Sequence, residues 1–413
     1  METGMHPECI DMDECTRAFI SEMRAGLAGD ASSLMMIPTY FSSDEAIERG
    51  GKAIALDAGG TNFRVALTEM GEDSVNILRN EVLPMPGSRG AITKDEFLDE
   101  VCAKIEPLLN EADRIGFCFS FPAEITPERD GKLVAFNKEV SVSGSEGMMI
   151  CAEITKRLEA HGARKPSAFV LLNDTIAAML GGKALMRSGG EAIGFILGTG
   201  TNTCYSEKGE NIRKLGSPSG SMIINMEAGG FAKLKRGKID EELDSATANP
   251  GDHIYEKMVA GGYLGKLILL TLKAAAHCRA IAGTEELMSA SDLEMTEVSA
   301  FLASGTDAGM LGRLSDGADA AAVRDICLSL IERSAKLAVC NLAAIMEQTG
   351  AGTETPVTIA AEGSAFLKTY SFRDYFDRYA REYITDRLGH KFNVFTFDNM
   401  TLAGCTAAAS MRA

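Results

Sequence analysis

The chain lacks an excess of positive charge and any long apolar segment. Its 413 residues include 41 Lys and Arg against 58 Asp and Glu, which gives a net charge of −17. This balance argues against a general surface for nucleic acid or anionic membranes. No stretch reaches the roughly 18 apolar residues of a membrane-spanning helix, and the acidic N-terminus is unlike a secretory signal. We therefore expect no nucleic-acid partner and no membrane partner.

The sequence also lacks paired cysteines. Its ten cysteines are scattered singly from Cys9 to Cys405, with no CxxC. Such spacing is typical of reduced thiols in a cytosol rather than of a disulfide framework, and it predicts no structural zinc site. The composition, with 46% hydrophobic and 24% charged residues, is that of a globular protein. The length suits two domains. The sequence thus predicts a cytoplasmic, two-domain protein.

The most informative segment is IALDAGGTNFRVAL, at residues 54–67. It predicts a strand, a tight turn and a second strand. Gly59 and Gly60 permit positive φ and a close approach of the backbone, so the N–H groups of Gly60 and of the two residues after it can point at a phosphate. Asp57 would face the same phosphate through a metal ion. The segment is not a P-loop, although by itself it is equally consistent with an ordinary hairpin.

The order of elements along the chain predicts an α/β fold in which antiparallel hairpins feed a mixed sheet. A second series of strands starts near Ala168, and its GTN at 200–202 repeats the GTN at 60–62. This weak repeat predicts one glycine turn in each half, although two unrelated turns would give the same letters. Two such turns facing across a cleft could hold both ends of a polyphosphate. Apolar spacing predicts helical segments over 13–27, 94–110, 175–186, 251–282, 321–347 and 370–388.

Four polar sets follow apolar strands or open helices. In LLND, Asp174 stands at the start of a helix beside Asn173, where a helix N-cap is the alternative to a role with a polyol hydroxyl. Glu227 lies in an apolar setting, and Glu256 lies near a helix start, where either carboxylate could be structural. The remaining set combines Ser120, which follows a buried strand, with the loop residues Asn137 and Lys138.

The order and spacing of these motifs resemble the hexokinase family, including the eukaryotic-type glucokinases. Similar segments run from SSLMMIPTY through LDAGGTNFRVAL, FSFP, LLNDT, LGTGTN, INMEAG, ANPGDHIYEKM and EGSAF to a final small-residue helix. The resemblance implies a two-domain, actin-like (ribonuclease-H-like) ATPase fold around an interdomain cleft. It also implies a small domain of 50–173 plus 400–413 and a large domain of 1–49 plus 174–399.

The resemblance further implies roles for individual residues. Asp174 matches the general base that accepts the proton of the attacking hydroxyl, and Asp57 would order magnesium. The residues expected to hold the hexose are Ser120, Asn137, Lys138, Asn173, Asp174, Asn202, Glu227 and Glu256. Those expected at ATP are Asp57, Gly59, Gly60, Thr61, Asn62, Arg64, Gly198, Thr199, Gly200, Thr201, Ser299, Gly363 and Ser364.

Several positions depart from the family pattern. The family's threonine directly before the sugar-binding lysine is replaced, and so are the glycine and the phenylalanine directly after that lysine. Further along the chain, a tryptophan and an aspartate of the family are replaced. A lysine near the last strand is displaced by one place. The residues at these departures are Asn137, Glu139, Val140, Ala228, Glu362 and Lys368. They leave the base and the glycine turns in place, but they leave the identity of the sugar open.

The implied reaction is transfer of the γ-phosphoryl group of magnesium–ATP to the 6-hydroxyl of a hexose, with glucose as the expected sugar, at the entry of glycolysis. A cytoplasmic monomer or homodimer is expected. The main alternative is a catalytically silent hexose-binding sensor of the same fold. A sugar-responsive repressor would carry an N-terminal DNA-binding domain, which the sequence does not suggest. A glycerol or acetate kinase would not need the residues expected around a ring polyol.

Overall fold

The structure, a computed structural model, describes residues 4–60, 62–136, 140–186, 190–304, 309–314 and 319–411. The helices are α1 (Met12–Ala28), α2 (Lys94–Ile105), α3 (Ile150–Ala160), α4 (Asp174–Leu185), α5 (Lys238–Ser245), α6 (Ile254–Val259), α7 (Gly261–His277), α8 (Glu285–Ser289), α9 (Met295–Ser304), α10 (Gly309–Leu314), α11 (Ala320–Thr349), α12 (Ser364–Lys368), α13 (Phe372–Tyr379) and α14 (Met400–Ser410). The strands are β1 (Ile37–Pro38), β2 (Lys52–Gly59), β3 (Asn62–Met70), β4 (Val75–Pro84), β5 (Ile92–Thr93), β6 (Arg114–Phe119), β7 (Ala123–Ile125), β8 (Gly131–Leu133), β9 (Val142–Ser143), β10 (Ala168–Leu172), β11 (Ala192–Leu197), β12 (Thr201–Lys208), β13 (Ser221–Asn225), β14 (Val357–Glu362) and β15 (Phe392–Phe395).

Two mixed sheets share one strand arrangement. The first has the order β4-β3-β2-β6-β10, and the second has the order β13-β12-β11-β14-β15 with β1 added at its edge. In each sheet a three-stranded antiparallel meander is followed by two strands parallel to its first strand. The glycine turns occupy the same place in the two sheets, between the first and second strands of each meander. The predicted mixed α/β organisation is therefore observed, and the weak GTN repeat coincides with a repeat of topology.

The central strands are apolar because both of their faces are covered. In β2 the residues from Ala53 to Leu56 are fully buried. One face of this sheet packs against apolar residues of α2 and α3, among them Val101 and Ile154, and the other face packs against α14. The predicted limits of the two domains stay a prediction.

Some predicted helices end earlier than their apolar spacing suggested. The segment expected over 94–110 leaves the α-helix at Ile105 and continues as a 3-10 turn that contains Pro107. The segment expected over 251–282 is divided at Ala260, whose ψ of 150° is extended, so that α6 and α7 are separate helices. The last turns of the segment expected over 370–388 are a π-helix at Ala380–Arg387. Within the described ranges, no helix is both long and apolar enough to cross a bilayer.

The backbones of α4 and α14 touch where small residues face each other. A Cβ built on Gly404 would overlap the carbonyl oxygen of Ala177, and one built on Gly181 would lie 2.6 Å from the carbonyl oxygen of Met400. On its other side α14 meets β6, where a Cβ on Gly116 would overlap the carbonyl oxygen of Cys405. Any side chain at these glycines would therefore separate the two sheets.

Replacement of Gly404 by alanine tests this contact. Alanine at a helical glycine normally stabilises a helix by roughly 0.5–1 kcal/mol, but here the methyl group overlaps a backbone carbonyl, so we expect the free energy of unfolding to fall by about 2 kcal/mol. The measurement is urea denaturation. The control is Gly90→Ala, because a Cβ there meets nothing within 4 Å. A Gly404→Ala protein as stable as the control variant would contradict the close packing of α4 on α14.

Candidate active site

Several of the predicted site residues lie at the carboxyl ends of strands that run in one direction in each sheet. Ser120 follows β6 and Asn173 follows β10, and both strands are parallel to β2, which ends at Gly59. In the second sheet Gly198 follows β11 and Gly363 follows the parallel strand β14. The carboxyl ends of parallel strands are where open α/β sheets bind their ligands.

The first glycine turn joins β2 to β3. Gly60 has a φ of 52°, and a Cβ there would meet no atom of the described residues within 4 Å. Gly59 packs closer, because a Cβ on it would lie 3.7 Å from Oδ1 of Asp57 and 4.0 Å from the hydroxyl of Ser120. Asp57 pairs in register with Arg64, whose Nη1 lies 3.7 Å from Oδ2 of the carboxylate. The turn thus presents backbone beside a carboxylate and a guanidinium.

The second glycine turn joins β11 to β12 and is held by its neighbours. The N-terminus of α7 donates two backbone hydrogen bonds to it, from Gly261 to the oxygen of Gly198 at 2.8 Å and from Gly262 to the oxygen of Thr199 at 3.1 Å. Gly363, with a φ of 114°, packs so closely that a Cβ on it would overlap the carbonyl of Leu197. These contacts, together with a hydrogen bond from the hydroxyl of Thr201 to the oxygen of Ile196 at 2.9 Å, fix the backbone of the turn.

A cluster of amides and carboxylates lies beside the second turn. The amide of Asn202 donates to Oδ1 of Asn225 at 2.8 Å and to Oε1 of Glu227 at 3.2 Å, while Asn225 donates to the same Oε1 at 2.7 Å. Glu256 accepts the N–H of Thr201 at 3.0 Å. The cluster offers both acceptors and donors, which is what the hydroxyl groups of a polyol require.

Asp174 is the first residue of α4. Asn173 is the N-cap, since its side chain accepts the N–H of Ile176 at 3.0 Å. Oδ1 of Asp174 accepts the N–H of Thr175 at 2.7 Å. Asn173 therefore fills the capping role that was the alternative for Asp174. The carboxylate of Asp174 lies next to this cap, at the carboxyl end of β10.

Comparison with known proteins gives a consistent result. Family models for hexokinases match residues 2–184 and 192–411. The chain is 31% identical to the Hexokinase-like 1 protein of Arabidopsis thaliana over 91% of this chain and 82% of that protein. It is 30% identical to Hexokinase-1 of Nicotiana tabacum over 90% of this chain and 82% of that protein. The chain belongs to the hexokinase family.

The fold of this hexokinase-family chain also resembles a solved structure. A hexokinase from Schistosoma mansoni complexed with glucose superposes with a TM-score of 0.76 at 23% identity, over 98% of this chain and 96% of that one. The predicted family and the predicted two-domain actin-like fold are both confirmed. The roles assigned to individual residues stay predictions.

Not every predicted residue joins the strand edges. Ser299 lies in α9, where its hydroxyl accepts the N–H of Tyr370 at 3.2 Å. Tyr370 belongs to the segment directly after α12, and α12 begins at Ser364. Three of the predicted residues lie outside the described part of the chain: Thr61, Asn137 and Lys138.

Several carboxyl groups of the site share one electrostatic environment. Burial raises the pKa of Asp57 to about 6, against the lowering effect of Arg64 and with a further rise from Asp174. Burial and the charges of Asp174 and Asp57 raise the pKa of Glu362 to about 7. Burial also raises the pKa of Glu227 against the effect of its hydrogen bond from Asn225, and the charge of Asp174 adds to the rise. Among the described residues, Arg64 and His253 compensate this negative charge only in part.

Oxygen ligands for magnesium are available in this environment. Oε2 of Glu362 is buried and has no hydrogen-bond partner among the described residues. Across those same residues no group of three His, Cys, Asp or Glu side chains could enclose a metal. Magnesium is usually held by one or two carboxylates together with water and substrate phosphates. The pair of Asp57 and Glu362 fits that mode of binding.

Sequence reasoning missed four residues of the site. Glu362 appeared only as a departure from the family, yet it shares the environment of Asp57. Asn225 precedes Glu227 by two residues, which in an extended segment indicates the same face. The amide of Asn399 accepts from Nη2 of Arg64 at 2.5 Å, and its φ of 62° could not be read from the sequence. His253, three residues before Glu256, lowers the pKa of Glu227.

The raised pKa of Glu362 predicts a stabilising substitution. Folding raises this pKa from 4.5 to about 7, so the folded state holds the proton more tightly than the unfolded chain. The corresponding stability is present below pH 4.5 and is lost as the pH rises through about 7. We expect Glu362→Gln to exceed the parent protein in free energy of unfolding by about 2 kcal/mol at pH 8 and by little at pH 4.5.

Urea denaturation at both pH values, with a chelator and without nucleotide, checks this expectation. The control is Glu124→Gln, since the side chain of Glu124 is exposed. A stability difference for Glu362→Gln that stays constant with pH would contradict a buried carboxyl group at position 362.

Proposed function

We propose that this chain is an ATP-dependent hexokinase, which transfers the γ-phosphoryl group of magnesium–ATP to the 6-hydroxyl of a hexose. Glucose is the expected sugar, and the reaction would be the entry step of glycolysis. The observation that carries the proposal is the position of Asp174. Its carboxylate opens α4 at the strand edge, and its charge acts on Asp57, Glu227 and Glu362. The similarity to a hexokinase solved with glucose supports the class of sugar.

The hexose would be held by the amide and carboxylate cluster. The hydroxyl groups of a sugar ring can donate to Glu227 and Glu256. The amide of Asn202, which donates to Asn225 and Glu227 in the free protein, would exchange one of these bonds for a bond to the sugar. Ser120 and Asn173, at the ends of β6 and β10, would contribute from the other sheet. Because the two sets stand on different sheets, a bound sugar would connect the two sheets and exclude water from the reacting hydroxyl.

Phosphoryl transfer requires alignment and charge stabilisation more than covalent help. In this proposal the backbone N–H groups of the two glycine turns orient the phosphates. Asp57 and Glu362 would hold magnesium, and the chemistry that bound magnesium supplies is neutralisation of the charge on the phosphate oxygens. Asp174 accepts the proton of the hexose hydroxyl as the new O–P bond forms and the bond from phosphorus to the bridging oxygen of ADP breaks.

A catalytically silent sensor would be expected to have lost either the base or a glycine turn. This chain keeps Asp174, Gly60 and Gly200, so the enzyme is the better supported function. We propose the cytoplasm as its location, with support from ten cysteines that are scattered singly along the sequence with no CxxC. We further propose that it works as a monomer or homodimer, without nucleic acid or membrane.

Replacement of Asp174 by asparagine tests the proposed base. Asparagine keeps the volume and can still accept the N–H of Thr175, but it cannot take a proton. We expect the hexose-dependent kcat to fall by about 100-fold to 1,000-fold, while the dissociation constant for the hexose changes by less than about threefold. Coupled ADP release gives kcat, and calorimetric titration gives the dissociation constant.

The control for this substitution is Asp11→Asn, because the side chain of Asp11 caps α1 by accepting the N–H of Glu14 at 3.1 Å. That variant should keep full turnover. An active Asp174→Asn protein, or one that loses sugar binding together with turnover, would overturn the assignment of Asp174 as base.

A further inference from the structure

Helix α5 carries two buried ion pairs, one turn apart. Oδ1 of Asp244 accepts from Nζ of Lys257 at 2.7 Å. Asp240 accepts two hydrogen bonds from Arg333, at 2.8 and 2.6 Å. The side chains of Lys257 and Arg333 are 2% and 0% exposed. A charge so deeply buried is tolerated only when it is paired and hydrogen-bonded, so each pair constrains the elements that carry it.

The pair of Lys257 and Asp244 holds the loop that leads into α6. Lys257 Nζ also donates to the carbonyl oxygen of Asn249 at 2.7 Å. The carboxylate of Asp244 accepts the N–H of Gly251 at 3.0 and 3.1 Å and Nη1 of Arg236 at 3.0 Å. The loop is therefore tied to α5 through both partners of the ion pair. The pKa of Asp244 is lowered, because these hydrogen bonds outweigh the effect of burial, and the carboxylate stays charged.

Helix α6 depends on such support. It has only six residues, and no side chain caps its N-terminus at His253, which has a φ of 51°. Helices this short are unstable without tertiary contacts. The apolar residues of α6 are buried in the core, and Lys257 adds an ion pair that ties the helix to α5.

The carboxylate of Glu256, the neighbour of Lys257 on α6, packs tightly against the second glycine turn. Its Oε2 accepts the N–H of Thr201 at 3.0 Å. A Cβ on Gly200 would lie 2.6 Å from this oxygen, and a Cβ on Gly229 would lie 3.2 Å from it. A small shift of α6 would therefore break the bond to Thr201 or press the carboxylate into the backbone of the second glycine turn.

We propose that Lys257 and Asp244 are a positioning pair, which sets the place of the Glu256 carboxylate and, through it, of the second glycine turn for hexose binding. The inference rests on the proposed function, in which Glu256 holds the sugar. Neither member of the pair touches the substrate in this account. Their effect is on the affinity for the hexose, by way of Glu256.

The other pair on α5 provides a matched control. Asp240 lies on the same helix, four residues before Asp244, and is bound to an equally buried cation. That cation, Arg333, belongs to α11, which carries none of the predicted site residues. Loss of the carboxylate at Asp240 leaves the bonds of Asp244 and Lys257 in place, and it leaves in place the bond from Ser334 of α11 to the carbonyl oxygen of Val259 on α6. We therefore expect a similar loss of stability with a smaller effect on the position of Glu256.

The experiment compares Asp244→Asn with Asp240→Asn at a temperature where both are folded. We expect Asp244→Asn to raise the KM for the hexose about tenfold or more with a smaller change in kcat, and Asp240→Asn to change KM by less than about twofold. Should Asp244→Asn fail to fold, Arg236→Gln removes one donor to the same carboxylate from a side chain that is 31% exposed, and a KM increase of about threefold is expected.

A second measurement needs no sugar. Hydrogen exchange of the Thr201 amide, followed by mass spectrometry on a peptide covering 198–205, reports the bond to Glu256 in the free protein. We expect exchange to be faster in Asp244→Asn by about fivefold or more and to be unchanged in Asp240→Asn.

A parent protein that neither binds nor phosphorylates any hexose would refute the proposed function, while the exchange measurement would still decide the positioning role. Unchanged exchange in Asp244→Asn, or equal effects of the two variants on KM, would overturn the positioning pair.

Discussion

The backbone contact between α4 and α14 is the constraint on which the rest of the structure depends. Gly404 on α14 and Ala177 on α4 meet without an intervening side chain, so the two helices lie as close as their backbones allow. Helix α4 packs on the sheet that contains the second glycine turn, and α14 packs on the sheet that contains the first. The distance between the two sheets is therefore set by a pair of small residues, of which Ala177 lies one helical turn beyond Asn173 and Asp174.

The site also buries several carboxyl groups close to one another. Asp57 and Glu362 have raised pKa values in the free protein, and Arg64 offsets only part of the unfavourable interaction. The magnesium ion of a bound magnesium–nucleotide complex and the hydroxyl donors of a sugar would relieve that cost when they bind. The free site is thus destabilised in the absence of its proposed ligands, as is common where binding or catalysis requires groups that stability alone would not select.

Local sequence signals predicted the parts of the fold that depend on near neighbours. The glycine hairpin at 54–67, the strands that end at Phe119 and Leu172, and the GTN repeat all follow from apolar patterning and turn residues. The family resemblance then supplied the two-domain actin-like fold, while the limits of the domains stay a prediction. What could not be predicted depends on contacts between distant segments. The helix expected over 251–282 is divided because Gly261 must approach Gly198, and the significance of Glu362 appears only when β14 lies beside Asp57 and Asp174.

The central claim is that the two turns and Asp174 form a site that transfers phosphate only when a hexose is present. The most direct measurement is ADP release from magnesium–ATP across a panel of glucose, mannose, fructose and glucosamine, with a control that contains no sugar. The account predicts release that depends on at least one hexose and exceeds the sugar-free rate by about tenfold or more. Release that no hexose increases above the control would contradict it and would favour a sugar-binding sensor.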